Sequence, residues 1–270
     1  MNKWFIHIVF TSVLSLGHAQ DSLVIWVETF TKPISWFDVW SVDGMGNLIK
    51  TNRNTIEKFD STGVVKFSQS IRSLGGVSEI SPVNAMKLMT FSADQQTLCT
   101  FDNTLTLSEN CLDLSDFGIQ SAIHISASAQ PNRVWILDQL NYHLMSLDLS
   151  TKKYSEVSNL SGLLNLEQVD ELREYGNELF LLDRSKGLYR FDFFGSLVSY
   201  FPEEGCKAFA VRGKDLFLLK EDRLMIIDLA TEEQQSVPLP LAGIDDLSVQ
   251  GSVFFFRTVD KLLRYRVSLP

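Results

Sequence analysis

The chain is poor in the residue types on which many enzymes and metal proteins depend. Its 270 residues include three cysteines and four histidines, and only His124 and His143 lie beyond the first twenty residues. Two histidines are too few for a metal site built on several imidazoles. The sequence also has no Gly-x-Ser-x-Gly elbow, phosphate-binding loop or Cys-x-x-Cys pair. It therefore carries no local signature of a familiar catalytic class.

Positive charge is scarce as well. Lysine and arginine together number 24 against 33 aspartates and glutamates, which gives a formal net charge of −9. The sequence contains no run of basic residues. An acidic chain without a basic patch is poorly suited to phosphate backbones or anionic lipids. This composition excludes nucleic acid as a partner.

Long apolar runs are missing except at the N-terminus. Met1–Lys3 carries one positive charge, Trp4–Leu16 is an apolar stretch, and Gly17-His18-Ala19 places small residues where a signal peptidase cuts. This pattern is typical of a secretory signal peptide, residues 1–19, which is too short to span a membrane. We expect export to the periplasm or the cell exterior, with a peripheral position at the outer membrane as a further option. No later stretch is long enough for a transmembrane segment.

The three cysteines, Cys99, Cys111 and Cys206, are too few for a disulfide framework. Cys99 and Cys111 lie on either side of one predicted hairpin, and an oxidising compartment would allow them to form a bridge. The alternative is that all three are half-buried thiols.

A repeat runs through the whole chain. An apolar run is followed eleven to thirteen residues later by a hydrophobic residue and an aspartate, and successive steps are 42, 46, 44, 36 and 38 residues apart. This spacing is typical of the four-stranded blades of a β-propeller. We predict an all-β, six-bladed propeller formed by residues 20–270 as one domain. The steps are Phe59-Asp60, Phe101-Asp102, Leu147-Asp148, Phe191-Asp192, Ile227-Asp228 and the divergent Tyr265-Arg266.

The two ends of the chain fit together in this scheme. Blade six reaches Pro270 with only three strands, whereas Ser22–Val27 is a strand without a blade of its own. We predict that this N-terminal strand pairs with blade six as its outer strand. The pairing closes the ring and removes two open sheet edges.

The first blade resembles the NHL-type repeat of six-bladed propellers. The likeness rests on the turn Asp43-Gly44-Met45-Gly46-Asn47 and on the turn Phe59-Asp60-Ser61-Thr62-Gly63. It covers about 30 residues, and the other blades share only the spacing. The resemblance implies the propeller fold. It transfers no function, because such propellers include lactonases, peptidylglycine-processing enzymes, adhesion modules and scaffolds.

The predicted architecture brings one set of polar residues together. The inner strands of the six blades begin at equivalent places, so their early residues should surround the mouth of the axial channel. A ring of carboxylates is a hard-oxygen site for Ca²⁺. The ordinary interpretation is a hydrated channel lining, in which a lysine neutralises part of the ring. The residues are Asp38, Glu79, His124, Asp170 or Glu171, Lys207, and Asp245 or Asp246.

A second set of residues suggests a protein partner. The blade-four turn contains Phe193 and Phe194, and two phenylalanines at a loop tip are unfavourable in water unless something covers them. They form either an anchor for another protein or, in the case of Phe193, a contact between blades four and five. The nearby leucines Leu160, Leu163, Leu164 and Leu166 could extend the same surface.

These observations lead to one prediction of function and two alternatives. The prediction is an exported, non-catalytic binding or assembly scaffold of the cell envelope, whose partner is a membrane-associated or secreted protein. The first alternative is a Ca²⁺-dependent hydrolase or lactonase that uses Asp38, Glu79, Asp170 and Asp245. The second is a carbohydrate or small-ligand binder with an aromatic platform.

Overall fold

The computed structural model describes residues 24–268, apart from 53–54, 109–110, 158–159, 163–164 and 166–167. These residues form six antiparallel sheets of four strands each. In five of the six pairs of neighbouring sheets the inner strands lie against one another around a common axis, and a buried apolar cluster joins the sixth pair. The predicted six-bladed β-propeller is therefore confirmed. The predicted signal peptide, residues 1–19, lies outside the described residues.

The blades follow one another along the chain, and each runs from its inner strand outward. Blade one contains β2 (Trp40–Val42), β3 (Leu48–Thr51), β4 (Thr55–Phe59) and β5 (Val65–Ser70). Blade two contains β6 (Glu79–Asn84), β7 (Lys87–Ser92), β8 (Thr97–Asp102) and β9 (Leu112–Asp113). Blade three contains β10 (Ala122–Ala127), β11 (Arg133–Asp138), β12 (His143–Asp148) and β13 (Lys153–Val157).

The second half repeats the pattern. Blade four contains β14 (Glu171–Tyr175), β15 (Glu178–Asp183), β16 (Gly187–Phe191) and β17 (Leu197–Phe201). Blade five contains β18 (Ala208–Arg212), β19 (Asp215–Leu219), β20 (Arg223–Asp228) and β21 (Gln234–Pro238). Blade six contains β22 (Asp246–Gln250), β23 (Val253–Arg257), β24 (Lys261–Ser268) and β1 (Ile25–Pro33). Short 3₁₀ turns occur at Leu114–Phe117 and Leu160–Gly162.

The ring is closed by its N-terminal strand, as predicted. Strand β1 pairs antiparallel with β24, from Ile25 opposite Ser268 to Pro33 opposite Lys261. Within the described residues this strand begins at Ile25 and extends beyond the predicted end at Val27 to Pro33. Ser22 and Leu23 of the predicted strand lie outside the described residues. Its Trp26 packs edge-on against Phe254, with 5.2 Å between the ring centroids. Closure therefore combines backbone pairing with aromatic packing on the neighbouring strands.

The core consists of apolar layers between neighbouring blades. At the seam between blades six and one, for example, Trp40 and Leu48 pack with Phe255 and Leu262. Comparable buried clusters join the other five pairs of neighbouring blades. Because these layers lie between the sheets, the inner strands are free to present polar side chains toward the axis.

The hydrophobic–Asp step has a clear structural role. Phe59 is buried between blades, and the Oδ1 atom of Asp60 accepts hydrogen bonds from the backbone N–H groups of Thr62 at 2.9 Å and Val64 at 3.0 Å. The carboxylate thus holds the turn into the outer strand. The same arrangement recurs at Asp102, Asp148, Asp192 and Asp228.

Blade two departs from the others in its outer strand. Strand β9 has only two residues, and Cys99 on β8 is joined by a disulfide to Cys111 just before β9. The predicted alternative of three thiols is therefore wrong. Cys206 is a buried free thiol, and burial raises its pKa to about 12.

Among the residues that the structure describes, no helix is both long enough and apolar enough to cross a membrane.

Candidate functional site

A cavity of about 500 Å³ lies on the propeller axis. Its wall comes from the inner strands of blades one, two, three, four and six. The inner strand of blade five, β18, is instead mostly buried between its neighbours. A concave, largely preformed pocket of this size is typical of a small-molecule site.

Strand β14 of blade four supplies the most strongly perturbed group in the cavity wall. Side chains alternate between the two faces of a strand, so Glu171, Arg173 and Tyr175 share one face and Leu172 packs into the core on the other. The guanidinium of Arg173 forms an ion pair with the Glu171 carboxylate.

The protonation of Glu171 is set by its surroundings. Burial raises the pKa of this carboxyl to about 7, and the negative charge of Asp246 adds to the rise, while Arg173 opposes it. Burial alone would lower the pKa of Arg173, but Glu171 and Asp246 outweigh that effect and the net direction is upward. Burial also raises the pKa of the Tyr175 hydroxyl. Glu171 can therefore gain and lose a proton near neutral pH beside a permanent positive charge.

Blades six and one contribute a second carboxylate. The indole Nε1 of Trp40 donates a hydrogen bond to Oδ2 of Asp246 at 2.8 Å, and the backbone N–H of Leu247 donates to Oδ1 at 2.8 Å. Asp246 is thus held by neutral donors at the seam where the ring closes.

Blades two and three are linked by a histidine–carboxylate pair. Nδ1 of His124 lies 2.5 Å from Oε1 of Glu79, and Nε2 lies 2.9 Å from the carbonyl oxygen of Val169. Burial lowers the pKa of His124, but the hydrogen bond and charge of Glu79 raise it more. Because both ring nitrogens face oxygen acceptors, the doubly protonated imidazole satisfies both. This histidine is committed to joining blades.

The rim of the cavity is aromatic. Trp36 and Phe37 lie in a turn before β2, with ring centroids 5.6 Å apart. Trp36 is 80% exposed. Asp38 follows the turn and is only 5% exposed, and its Oδ2 accepts the backbone N–H of Ser35 at 2.9 Å. Its Oδ1 is buried without a partner.

The predicted axial ring is only partly brought together. Asp38, Glu79, Asp170, Glu171 and Asp246 line the cavity. Lys207 instead pairs with Glu221 at 2.5 Å, and Asp245 lies 4.0 Å from the guanidinium of Arg257. His124 is engaged as described above. In the part of the chain that is described, no three His, Cys, Asp or Glu side chains are grouped so that they could hold a metal ion. The described residues therefore do not assemble the predicted Ca²⁺ ring.

The predicted interaction residues occupy different environments. Phe193 packs against Trp135, with 5.8 Å between centroids, in the layer between blades three and four and not between blades four and five. Leu160 is 2% exposed in the same layer, so its side chain is part of the core. Phe194 is 84% exposed. Leu163, Leu164 and Leu166 lie outside the described residues, and a partner role for Phe194 stays a prediction.

Several cavity residues were not identified from the sequence. Arg173, Tyr175 and Trp40 line the site together with Arg257, and none was proposed. A signal was present in β14, where Glu-Leu-Arg-Glu-Tyr places three charged residues on an inner strand that otherwise would be apolar. Trp40 also packs in the apolar layer between blades six and one.

Solved structures with a similar fold include two lyases. The structure of virginiamycin B lyase from Staphylococcus aureus matches with a TM-score of 0.59 and 10% identity, over 90% of this chain and 99% of the lyase. A streptogramin B lyase matches with a TM-score of 0.62 and 11% identity, over 91% and 98% of the two chains. A protein of unknown function from Bacteroides thetaiotaomicron VPI-5482 matches with a TM-score of 0.65 and 8% identity, over 91% and 76%. No protein-family model and no curated protein sequence matches the chain.

These similarities contradict the prediction of a non-catalytic scaffold. Two of the similar propellers are lyases, and on that ground the prediction of a non-catalytic scaffold is corrected. At identities of 8 to 11% the likeness establishes the fold. Export and a protein partner stay predictions.

Proposed function

We propose that this propeller is an enzyme of the lyase type that acts on a small molecule in the axial cavity, with Glu171 as general acid–base. The observation that carries the proposal is the Glu171 carboxyl, which lies in the cavity wall with a pKa of about 7 beside the Arg173 guanidinium. A general base is most effective when its pKa is close to the working pH. Perturbed carboxyl groups in clefts are also enriched at active sites. The similarity to two lyase structures supports the same class.

The residues suit an elimination reaction. The Glu171 carboxylate takes a proton from a carbon next to a carbonyl group. The electron pair of that C–H bond becomes part of a C=C bond, and the leaving group departs with the electrons of the bond that breaks. Arg173 stabilises the negative charge that develops on the carbonyl oxygen. Glu171 then returns its proton to the leaving group or to water, which restores the carboxylate.

Turnover by the wild type and by Glu171→Gln tests the proposal. Virginiamycin B is the first compound to try, followed by a mixed pool of small metabolites, with mass spectrometry to detect compounds that the wild type consumes. We expect kcat of Glu171→Gln to fall by about 10²–10⁴, the usual contribution of a general base. In the wild type, kcat/KM should rise with pH around a midpoint near 7, because the base acts as the carboxylate.

Asp222→Asn is the matched control. Asp222 is an exposed carboxylate paired with Arg223 at 2.9 Å, away from the cavity lining. This variant should retain wild-type turnover. Full turnover by Glu171→Gln would contradict the proposal.

A second candidate function is small-ligand binding without catalysis. It is favoured by the exposed pair Trp36 and Phe37 at the cavity rim, because aromatic surface is a common feature of ligand sites. Under this alternative, the wild type and Glu171→Gln would bind the same ligand equally, and neither would change it.

A further inference from the structure

The cavity wall carries more negative than positive side chains. Six carboxyl-bearing side chains and three arginines line it. Each arginine already faces a carboxylate: Arg173 pairs with Glu171, Arg184 lies 4.0 Å from Asp170, and Arg257 lies 4.0 Å from Asp245. Each positive charge in the wall therefore has a carboxylate beside it, and the wall as a whole stays negative.

Three carboxylates in the wall are held by neutral donors. Asp246 accepts from the Trp40 indole. Glu174 accepts from the Trp135 indole and from the backbone N–H of Ala129 at 2.7 Å. Asp38 accepts from the backbone N–H of Ser35. In the described part of the chain, none of the three has a lysine or arginine in ion-pair contact.

Asp38 is the most unusual of these groups. It is 5% exposed, it lines the cavity, and its Oδ1 has no hydrogen-bond partner. A buried carboxylate is unfavourable unless a cation or donors satisfy it, and an unsatisfied buried group requires an explanation. Oδ1 is covered by neighbouring protein atoms, so a positively charged donor in the cavity would pair with the Asp38 carboxylate after a small shift of the turn that carries Trp36 and Phe37.

The neighbours of Asp38 indicate the shape of such a ligand. Trp36 and Phe37 precede it directly in the chain, both line the cavity, and Trp36 is 80% exposed. Aromatic faces attract organic cations and also cover apolar groups. A bare metal ion would require several clustered oxygen ligands, and the described residues offer no such group.

We propose that the ligand of the axial site is a small organic amine, whose ammonium group binds Asp38 and whose apolar body lies against Trp36 and Phe37. Asp246 and Glu174 add to the negative potential that draws the cation into the channel. The inference names the substrate class of the proposed enzyme and rests on that function only in calling the ligand a substrate. Binding itself does not require Glu171 to be catalytic.

Three probes with the same ring and different charge test the inference. They are 2-phenylethylamine, the neutral 2-phenylethanol and the anionic 3-phenylpropanoate, and each is titrated into the full chain by calorimetry or ligand-observed NMR at pH 7.5. We expect the amine to bind at least about tenfold more tightly than the alcohol, the effect of one charge-assisted hydrogen bond. The anion should bind most weakly. Added salt should weaken binding of the amine and leave binding of the alcohol unchanged.

Two variants locate the binding site. Asp38→Asn keeps an acceptor for Ser35 but removes the charge, and it should lower the affinity for the amine by about tenfold without affecting the alcohol. Trp36→Ala should lower the affinity for both the amine and the alcohol. Asp222→Asn serves again as the control. If Asp38→Asn does not fold, Asp246→Asn replaces it, with a smaller loss of amine affinity expected.

Other outcomes would overturn the inference. They are equal binding of amine and alcohol, preference for the anion, or stoichiometric Ca²⁺ binding that Asp38→Asn abolishes. Because the readout is binding, amine affinity in Glu171→Gln separates the two proposals. An amine that binds both proteins equally supports this inference even if no turnover is found. Conversion of a neutral substrate by the wild type but not by Glu171→Gln would support the proposed catalytic role and contradict the inference that the ligand is an amine.

Discussion

A carboxyl group enclosed by protein is harder to ionise than one in water, and Glu171 shows the consequence. Its side chain is 14% exposed in a wall that also holds Asp246, and its pKa rises to about 7. The neighbouring Arg173 limits the rise but does not cancel it. The same physical cause that makes Glu171 suitable as an acid–base group also makes the folded state sensitive to pH.

The first stability prediction concerns Glu171→Gln. The folded protein holds this proton up to about pH 7, whereas an unfolded glutamate releases it near its ordinary pKa of 4.5. Between these values the folded state binds more protons, so wild-type stability falls as pH rises. The substitution removes this contribution. As pH rises from 4.5 to 7, the free energy of unfolding of Glu171→Gln should therefore increase relative to that of the wild type. The difference should reach about 3 kcal/mol at most.

Denaturant unfolding of both proteins between pH 4.5 and 8 measures the difference. Asp222→Asn changes an exposed carboxylate, so its free energy of unfolding should have the same pH dependence as that of the wild type over the neutral part of this range. A difference between wild type and Glu171→Gln that stays constant with pH would show that Glu171 ionises normally.

The shortest of the described strands is the outer strand of blade two. Strand β9 pairs with β8 through two residue pairs, Thr97 with Asp113 and Leu98 with Leu112. The chain between the two strands is longer than in the other blades. The disulfide between Cys99 and Cys111 spans this connection. We infer that the covalent bond replaces strand pairing that the short β9 cannot supply.

The second stability prediction is that reduction of this disulfide destabilises blade two. Loss of the Cys99–Cys111 bridge should lower the free energy of unfolding by about 2–4 kcal/mol. Backbone amides near β9 should then exchange with deuterium faster than those of the other blades. Thermal unfolding and hydrogen exchange, with and without reductant, measure both effects. The double variant Cys99→Ala plus Cys111→Ala should not respond to reductant, and an equal response would place the effect elsewhere.

The propeller as a whole depends on joining its two ends. Every blade boundary is an apolar layer, and β1 completes blade six from the opposite end of the chain. Trp26 is the anchor of this closure. Its ring packs on Phe254 and Phe256, and its Nε1 donates to the carbonyl oxygen of Pro238 at 3.0 Å.

The third stability prediction is that Trp26→Ala weakens the closure. The half-buried indole should contribute about 2–3 kcal/mol, toward the lower end for aromatic-to-alanine changes. Ile25→Ala on the same strand is the control, because Ile25 is exposed and exposed substitutions usually change stability little. Chemical denaturation measures both. Equal effects of the two variants would mean that backbone pairing, and not Trp26, holds the ring together.

Much of this architecture could be predicted from the order of residues. The hydrophobic–Asp step works within a few residues of itself, since Asp60 bonds to the amides of its own turn. Such local signals repeat visibly along the chain, so the number of blades and the closure by the N-terminal strand were accessible. The bounds of the short inner strand of blade one were harder to predict, because Trp36 and Phe37 are residue types common in strands but lie in a turn.

The site was accessible only in part, for a physical reason. Asp38, Glu79 and the pair Asp170 or Glu171 could be placed near the axis from blade spacing alone. Their state depends on residues from other blades: Glu171 on Asp246, Glu79 on His124, and Asp246 on Trp40. These partners are 45 to more than 200 residues apart in sequence. The repeat along the chain thus specifies the propeller, whereas the charge, protonation and spacing of the axial groups follow from contacts that exist once the ring has closed.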